Sequence, residues 1–124
     1  MSVFLSAEWF EEAGSALSGL RSGDNSSASV QYVVSGSPDG KVVFHLDLTA
    51  GEFGSFGQGK ADDPDIILSC SYDTALSVVS GDQTPEVVFM TGALKVEGDH
   101  ALWLLGLRPA REAALQVLAP ITGP

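Results

Sequence analysis

The sequence predicts an α+β fold in which one sheet carries helices on a single face. Three features predict it: an amphipathic helical pattern near the N-terminus, a run of alternating strands around tight turns, and short helices towards the C-terminus. The chain has 124 residues, of which 44% are hydrophobic and 18% are charged. That length and composition predict one globular domain spanning residues 1–124.

The first predicted helix covers residues 6–20. Its apolar residues, from Trp9 onwards, recur at helical spacing and form one apolar face. Ser6 is a suitable N-cap, and Glu8 suits the positive end of the helix dipole. A connection rich in Ser, Gly, Asp and Asn then separates this helix from the strands.

The next predicted elements are strands. Alternating apolar and polar residues over 30–35 and 41–49 predict a hairpin around the turn Ser37-Pro38-Asp39-Gly40. A weaker, irregular strand is predicted over 52–59, where glycines interrupt the pattern, and a short strand over 66–70. Because the hairpin strands alternate, one of their faces should be packed and the other solvated.

Short helices dominate the predicted C-terminal half. They cover residues 72–80 and 85–90, and a last strand follows over 94–97. Asp99 should cap a helix that ends at residue 105, and a final helix covers 108–118. The residues beyond that helix are predicted to form a tail.

The charge balance argues against binding to nucleic acid. The formal net charge is −10, and the six Lys and Arg residues do not cluster. The N-terminus has no basic region typical of a signal peptide, and no apolar run is long enough to span a membrane. Cys70 is the only cysteine, so it cannot form an internal disulfide, which suits a reducing compartment. These observations predict a cytoplasmic protein.

A glycine-rich stretch nearly matches a phosphate-binding loop. Residues 54–60 begin with a glycine and end in Gly-Lys, as a phosphate-binding loop does. Ala61 however occupies the position where that loop has a Ser or Thr that binds magnesium. The acidic cluster of Asp62, Asp63 and Asp65 follows instead of a helix start. This cluster lacks the ligand spacing of a calcium loop. We therefore interpret the stretch as a sheet edge and the cluster as a solvated turn.

The nucleophilic and metal-binding residue types are few. Cys70 with His45 or His100 could supply a thiol nucleophile and a base. Cys70 however continues the apolar alternation of its strand, which favours inert packing. The two histidines do not have the spacing of zinc ligands. We predict no catalytic residue, no metal site and no cofactor.

One segment carries a family signature. A helix bearing Phe89 ends at Gly92, a Leu-Lys-Val strand follows at 94–96, and a Gly-Asp turn at 98–99 opens the next helix. This order resembles the C-terminal signature of the sterol carrier protein 2 (SCP2) family. The likeness covers roughly residues 41–105.

The resemblance implies a fold and a ligand class. The SCP2-like fold is a five-stranded, mostly antiparallel sheet with helices covering one face and an apolar tunnel between them. The tunnel would hold a hydrophobic small molecule, such as a sterol, fatty acid, acyl-CoA or other fatty acyl lipid. The residues expected to bind it lie on the packed strand, the paired helices and the late helices: Phe44, Leu46, Leu48, Leu76, Val79, Phe89, Met90, Leu102, Trp103, Leu104 and Leu115.

The expected mechanism is carriage or presentation of a lipid without chemistry, with at most transient contact with a membrane or an enzyme. Each buried methylene contributes about 0.8 kcal/mol. A polar head would need a hydrogen-bonding group at the tunnel mouth, and Tyr72, Thr91 or Gln116 could provide it.

Two other function classes stay open at this point. One is a small α+β isomerase or cyclase, whose apolar pocket would hold Asp47 as the general base, although Asp47 falls on the outward face of its strand. The other is an accessory domain that binds a partner protein through that outward face.

Overall fold

The computed structural model describes residues 2–38 and 40–123. The fold is an α+β arrangement in which four consecutive strands follow the first helix and the other helices come after them. In chain order the elements are β1 (Ser2–Val3), α1 (Ala7–Leu17), β2 (Ala28–Ser37), β3 (Gly40–Thr49), β4 (Glu52–Gln58), β5 (Ile66–Ser71), α2 (Tyr72–Val79), α3 (Pro85–Met90), β6 (Lys95–Gly98), a π-helical turn (Leu102–Gly106), α4 (Arg108–Leu118), a 3-10 turn (Ala119–Ile121) and β7 (Thr122–Gly123).

The main sheet has five strands in the order β4-β3-β2-β5-β6. Strand β2 pairs in parallel with β5, whereas the pairs β2–β3, β3–β4 and β5–β6 are antiparallel. The sheet is therefore mixed and mostly antiparallel, as expected. The predicted weak strand lies at the edge as β4, and its pairing with β3 is irregular between Leu46 and Leu48.

The hairpin register sets which face of the sheet is packed. Val30 lies opposite Leu46, and Tyr32 lies opposite Phe44, so these side chains share one face. Helices α1 and α2 pack on the sheet, and α4 packs against α1. The predicted packed and outward faces are confirmed. Of the predicted turn, Asp39 lies outside the described residues.

The predicted N-caps are present. The side chains of Ser6 and Asp99 each accept a hydrogen bond from the backbone amide three residues later. Helix α1 ends at Leu17 instead of Leu20, because the next residue has extended backbone and Gly19 has a φ of +75°. Leu20 still packs against the core after this turn.

The helix after Asp99 forms, but its body is a π-helical turn. The amide of Leu107 bonds to the carbonyl of Leu102 five residues earlier, at 2.8 Å. This wide turn places Trp103 inside the protein, at 1% exposure, and leaves Leu105 77% exposed. A helix that is apolar on nearly all sides is expected to be buried or to line something apolar, which holds for Trp103 and is wrong for Leu105.

The chain ends form a second, small sheet, which corrects the prediction of a C-terminal tail. Strands β1 and β7 pair in parallel, with Ser2 opposite Thr122. The hydroxyl of Thr122 accepts a hydrogen bond from the indole Nε1 of Trp9 at 2.8 Å and donates one to the Leu118 carbonyl at 2.7 Å. Both chain ends are therefore tied to the core beside α1. Within the described residues, no helix is long and apolar enough to cross a membrane.

Candidate functional site

An apolar cavity of about 140 Å³ lies between the packed face of the sheet and the helices. The strands contribute aromatic side chains such as Phe56 and aliphatic ones such as Val34 and Leu68, and α2 contributes Ala75 and Val78. Almost all of the lining side chains are apolar. A cavity of this kind favours apolar ligands, because burying their surface removes it from water.

The structure brings five of the sequence-predicted site residues to this cavity. They come from β3, from the end of α2, from the π-helical turn and from α4: Phe44, Leu46, Val79, Trp103 and Leu115. These positions are distant in the chain, and the pairing of the strands and the packing of the helices bring them together.

The other predicted site residues lie around the cavity without lining it. Leu48 is buried in the core, and four more are half-buried against the core: Leu76, Phe89, Leu102 and Leu104. The ring of Phe89 packs on Trp103 with centroids 5.3 Å apart, so it supports a lining residue. Met90 is 83% exposed, because it ends the short helix α3 on the solvent side. Ligand binding by these residues stays a prediction.

One cation lines the cavity among the described residues, and it is Arg111. Its Nη1 donates to Glu86 at 2.9 Å, and its Nη2 donates to the carbonyl of Leu104 at 3.3 Å. The guanidinium carbon lies 4.5 Å from the centre of the Trp103 ring. Burial alone would raise the pKa of Glu86, but hydrogen bonds to its own amide and to Arg111, together with the charge of Arg111, lower it. Glu86 therefore stays ionised opposite the guanidinium.

Besides Thr74, two further polar side chains line the cavity. Tyr32 stacks on Phe44 with ring centroids 4.7 Å apart. Burial raises the pKa of the Tyr32 hydroxyl to about 12, against the opposing charge of Arg111. Burial also raises the pKa of the Cys70 thiol, which keeps it neutral and unreactive. Both groups are thus uncharged at neutral pH.

The polar residues predicted at a tunnel mouth lie elsewhere. Tyr72 donates its hydroxyl to the carbonyl of Phe4 at 3.3 Å, and Thr91 and Gln116 are exposed. Sequence reasoning missed Arg111 as a lining residue. A signal was present, because Arg111 lies four residues after Leu107 and four before Leu115, on the apolar stripe of α4.

The candidate catalytic groups do not meet at the cavity. His45 and Asp47 lie on the opposite face of the sheet, in a polar cleft that also contains Ser55. The ring of His45 lies 3.2 Å from the Ser55 hydroxyl, and that of His100 lies 2.7 Å from the carbonyl of Val96. No group of three His, Cys, Asp or Glu side chains in residues 2–38 and 40–123 could hold a metal ion.

The glycine-rich stretch that nearly matches a phosphate-binding loop belongs to a strand in the structure. Residues 52–58 form the edge strand β4 and do not lead into a helix. Asp65 belongs to the turn that follows, and its carboxylate accepts a hydrogen bond from the amide of Ser29 at 2.8 Å. The interpretation of this stretch as a sheet edge followed by a turn is confirmed.

Comparison with known proteins decides the family. A model of the SCP-2 sterol transfer family matches residues 20–104, which is well over half of the chain. The chain belongs to the SCP-2 sterol transfer family. The fold agrees, since a crystal structure of sterol carrier protein 2 has a TM-score of 0.76, with 19% identity, and the match covers 94% of this chain and 97% of that one. At that identity the likeness shows the fold alone.

Two further similar proteins add to this comparison. Sterol carrier protein 2 from Yarrowia lipolytica, in its apo form, is 26% identical, with a TM-score of 0.55, over 91% of this chain and 77% of that one. Hydroxysteroid dehydrogenase-like protein 2 from Bos taurus is 36% identical over 73 residues. That match covers 58% of this chain, but the chain spans only 17% of the bovine protein. The family and the fold support a role in lipid binding or transfer.

Proposed function

We propose that residues 1–124 act as one module that binds a single lipid in the apolar cavity and carries or presents it without chemical change. The observation that supports this proposal is the cavity itself, which is enclosed by the sheet and the helices and lined by apolar side chains. The ligand-binding residues would be those that line it, with Phe44, Val79 and Trp103 as the main contacts. The ligand class is a fatty acyl chain or a lipid of similar apolar bulk.

The size of the cavity implies that it must expand for such a ligand. A dry protein cavity of about 150 Å³ holds a molecule the size of benzene, so 140 Å³ is too small for a long chain. Helix α2 is the element best suited to move, because none of its residues is fully buried although Val78 and Val79 cover the cavity. We therefore propose that α2 shifts outwards when the ligand enters.

The proposed module could either carry its lipid between membranes or present it to an enzyme. The bovine relative is named as dehydrogenase-like, and the matching portion is a small part of it. A net charge of −10 opposes close approach to an anionic bilayer at low salt. Presentation to an enzyme therefore fits this chain better than shuttling between membranes. Asp47 faces away from the cavity, which removes the observation that would favour an isomerase.

Native mass spectrometry of freshly purified protein tests the proposal. We expect the folded chain to carry one co-purified lipid, or, after delipidation, to bind one equivalent of added hexadecanoic acid. The reason is that a long chain gains about 0.8 kcal/mol for each methylene that it buries. A folded protein that neither carries a lipid nor binds hexadecanoic acid or cholesterol would contradict the proposal.

A further inference from the structure

Two buried N–H groups lack an acceptor among the described residues. They are the indole Nε1 of Trp103 and the Nε of Arg111. Trp103 is 1% exposed, and the side chain of Arg111 is 12% exposed, so bulk water hardly reaches either group. A buried donor without a partner is unfavourable, and native proteins contain few of them. Two at neighbouring positions on one cavity therefore indicate that something else supplies the acceptor.

The two donors belong to one compact arrangement. The Arg111 guanidinium lies over the Trp103 ring, 4.5 Å from its centre, and both side chains line the cavity. Nη1 already donates to Glu86 and Nη2 donates to the Leu104 carbonyl. These hydrogen bonds fix the guanidinium and leave its Nε–H without an acceptor. Arg111 is also the only charged side chain that lines the cavity in the described part of the chain.

We infer that Trp103 and Arg111 form a head-group site that binds the carboxylate of a long-chain carboxylic acid, while the apolar chain of that ligand occupies the cavity. This inference rests on the proposed function and names its ligand class. An ionised carboxylate only accepts hydrogen bonds, so its two oxygens match two N–H donors. The hydroxyl of an alcohol or sterol would bring a donor of its own to a site that already has two.

The positive charge of Arg111 also favours an acid. Glu86 pairs with this charge at Nη1 and its side chain is 36% exposed, while no acceptor among the described residues bonds to Nε. A carboxylate in an apolar cavity is unfavourable unless a cation pairs with it, and Arg111 is in place to do so. Charge-assisted hydrogen bonds are about twice as strong as neutral ones.

Binding measurements with three ligands of equal chain length test the inference. We expect delipidated protein to bind hexadecanoic acid about tenfold or more tightly than hexadecanol or methyl hexadecanoate. Arg111→Met should remove that preference, so that this variant binds hexadecanoic acid and hexadecanol with affinities within about threefold of each other. Arg108→Met is the matched control, because it removes the same charge from an exposed position on α4, where Arg108 pairs with Glu112. It should keep the preference for the acid.

A second readout does not depend on whether Arg111→Met folds. The chain has two tryptophans, and the indole N–H of Trp9 already donates to Thr122. In a ¹H–¹⁵N NMR spectrum of the unmutated protein, hexadecanoate should move the Trp103 indole signal downfield by more than it moves the Trp9 signal, because Trp9 also lines the cavity but its N–H already has an acceptor. Hexadecanol should cause a smaller downfield shift, because a neutral acceptor makes a weaker hydrogen bond.

The outcomes separate this inference from the proposed function. Equal affinity for acid and alcohol, or acid binding with an unmoved Trp103 signal, would overturn the head-group site and leave lipid binding intact. If none of the three ligands binds, the proposed function and the head-group site are both overturned.

Discussion

Replacing Val79 with tryptophan should abolish lipid binding without unfolding the protein. Val79 is half-buried at the end of α2 and lines the cavity. An indole at this position would fill much of the 140 Å³ space, which already has to expand to admit a chain. We expect affinity for hexadecanoic acid to fall about a hundredfold or more, while the free energy of unfolding falls by about 1–3 kcal/mol. Fluorescence titration and urea denaturation measure the two quantities.

The control for this variant is the same substitution at Val87. That residue lies on the neighbouring helix α3, is 47% exposed and does not line the cavity. Val87→Trp should therefore bind hexadecanoic acid as the parent protein does. If folded Val79→Trp also binds it with unchanged affinity, the ligand does not occupy this cavity.

Removing the Trp9 side chain should cause a large loss of stability. Its ring is 1% exposed and packs against Phe4, Phe10 and Phe44 with centroids 5.0, 5.2 and 6.5 Å away. Its Nε1 donates to Thr122, which ties the C-terminal strand β7 to α1. Trp9→Ala should lower the free energy of unfolding by about 3–5 kcal/mol, measured by urea denaturation.

Thr122→Val separates the hydrogen bond of Trp9 from its packing. This variant keeps the ring but leaves its N–H buried without an acceptor, so we expect a loss of about 1–3 kcal/mol. Trp9→Ala should therefore be the more destabilising of the two. If the two variants lose the same stability, the aromatic contacts of Trp9 contribute little, and the account of the core is wrong.

The strands of the main sheet and the helices that pack on it were predictable, because the sequence patterns that indicate them are local. The alternation through Phe44 and Leu46 fixes which side chains face the core, and the cap at Ser6 fixes where α1 begins. The pairing of Ser2 with Thr122 was not predictable in this way. It joins the two ends of the chain, and neither two-residue strand has enough length to show a pattern.

The site was predictable only in part for a related reason. The apolar pattern identifies Val79 and Leu115 as inward-facing, but it cannot tell a core residue such as Leu48 from one that borders a cavity. That distinction depends on how closely the helices pack on the sheet. Arg111 lies on the apolar stripe of its helix, where an arginine is usually interpreted as reaching out to solvent. Only the packing against Trp103 shows that it stays inside.

The most direct test of lipid binding in the cavity is a filtered NOE experiment between unlabelled hexadecanoic acid and protein with ¹³C-labelled methyl groups. We expect NOEs from the acyl chain to the methyls of Val79 and Leu115, which line the cavity from α2 and α4. We expect none to Val87 and Leu105, whose side chains are exposed. NOEs confined to Val87 and Leu105, with none to the lining methyls, would place the lipid on the surface and contradict the account.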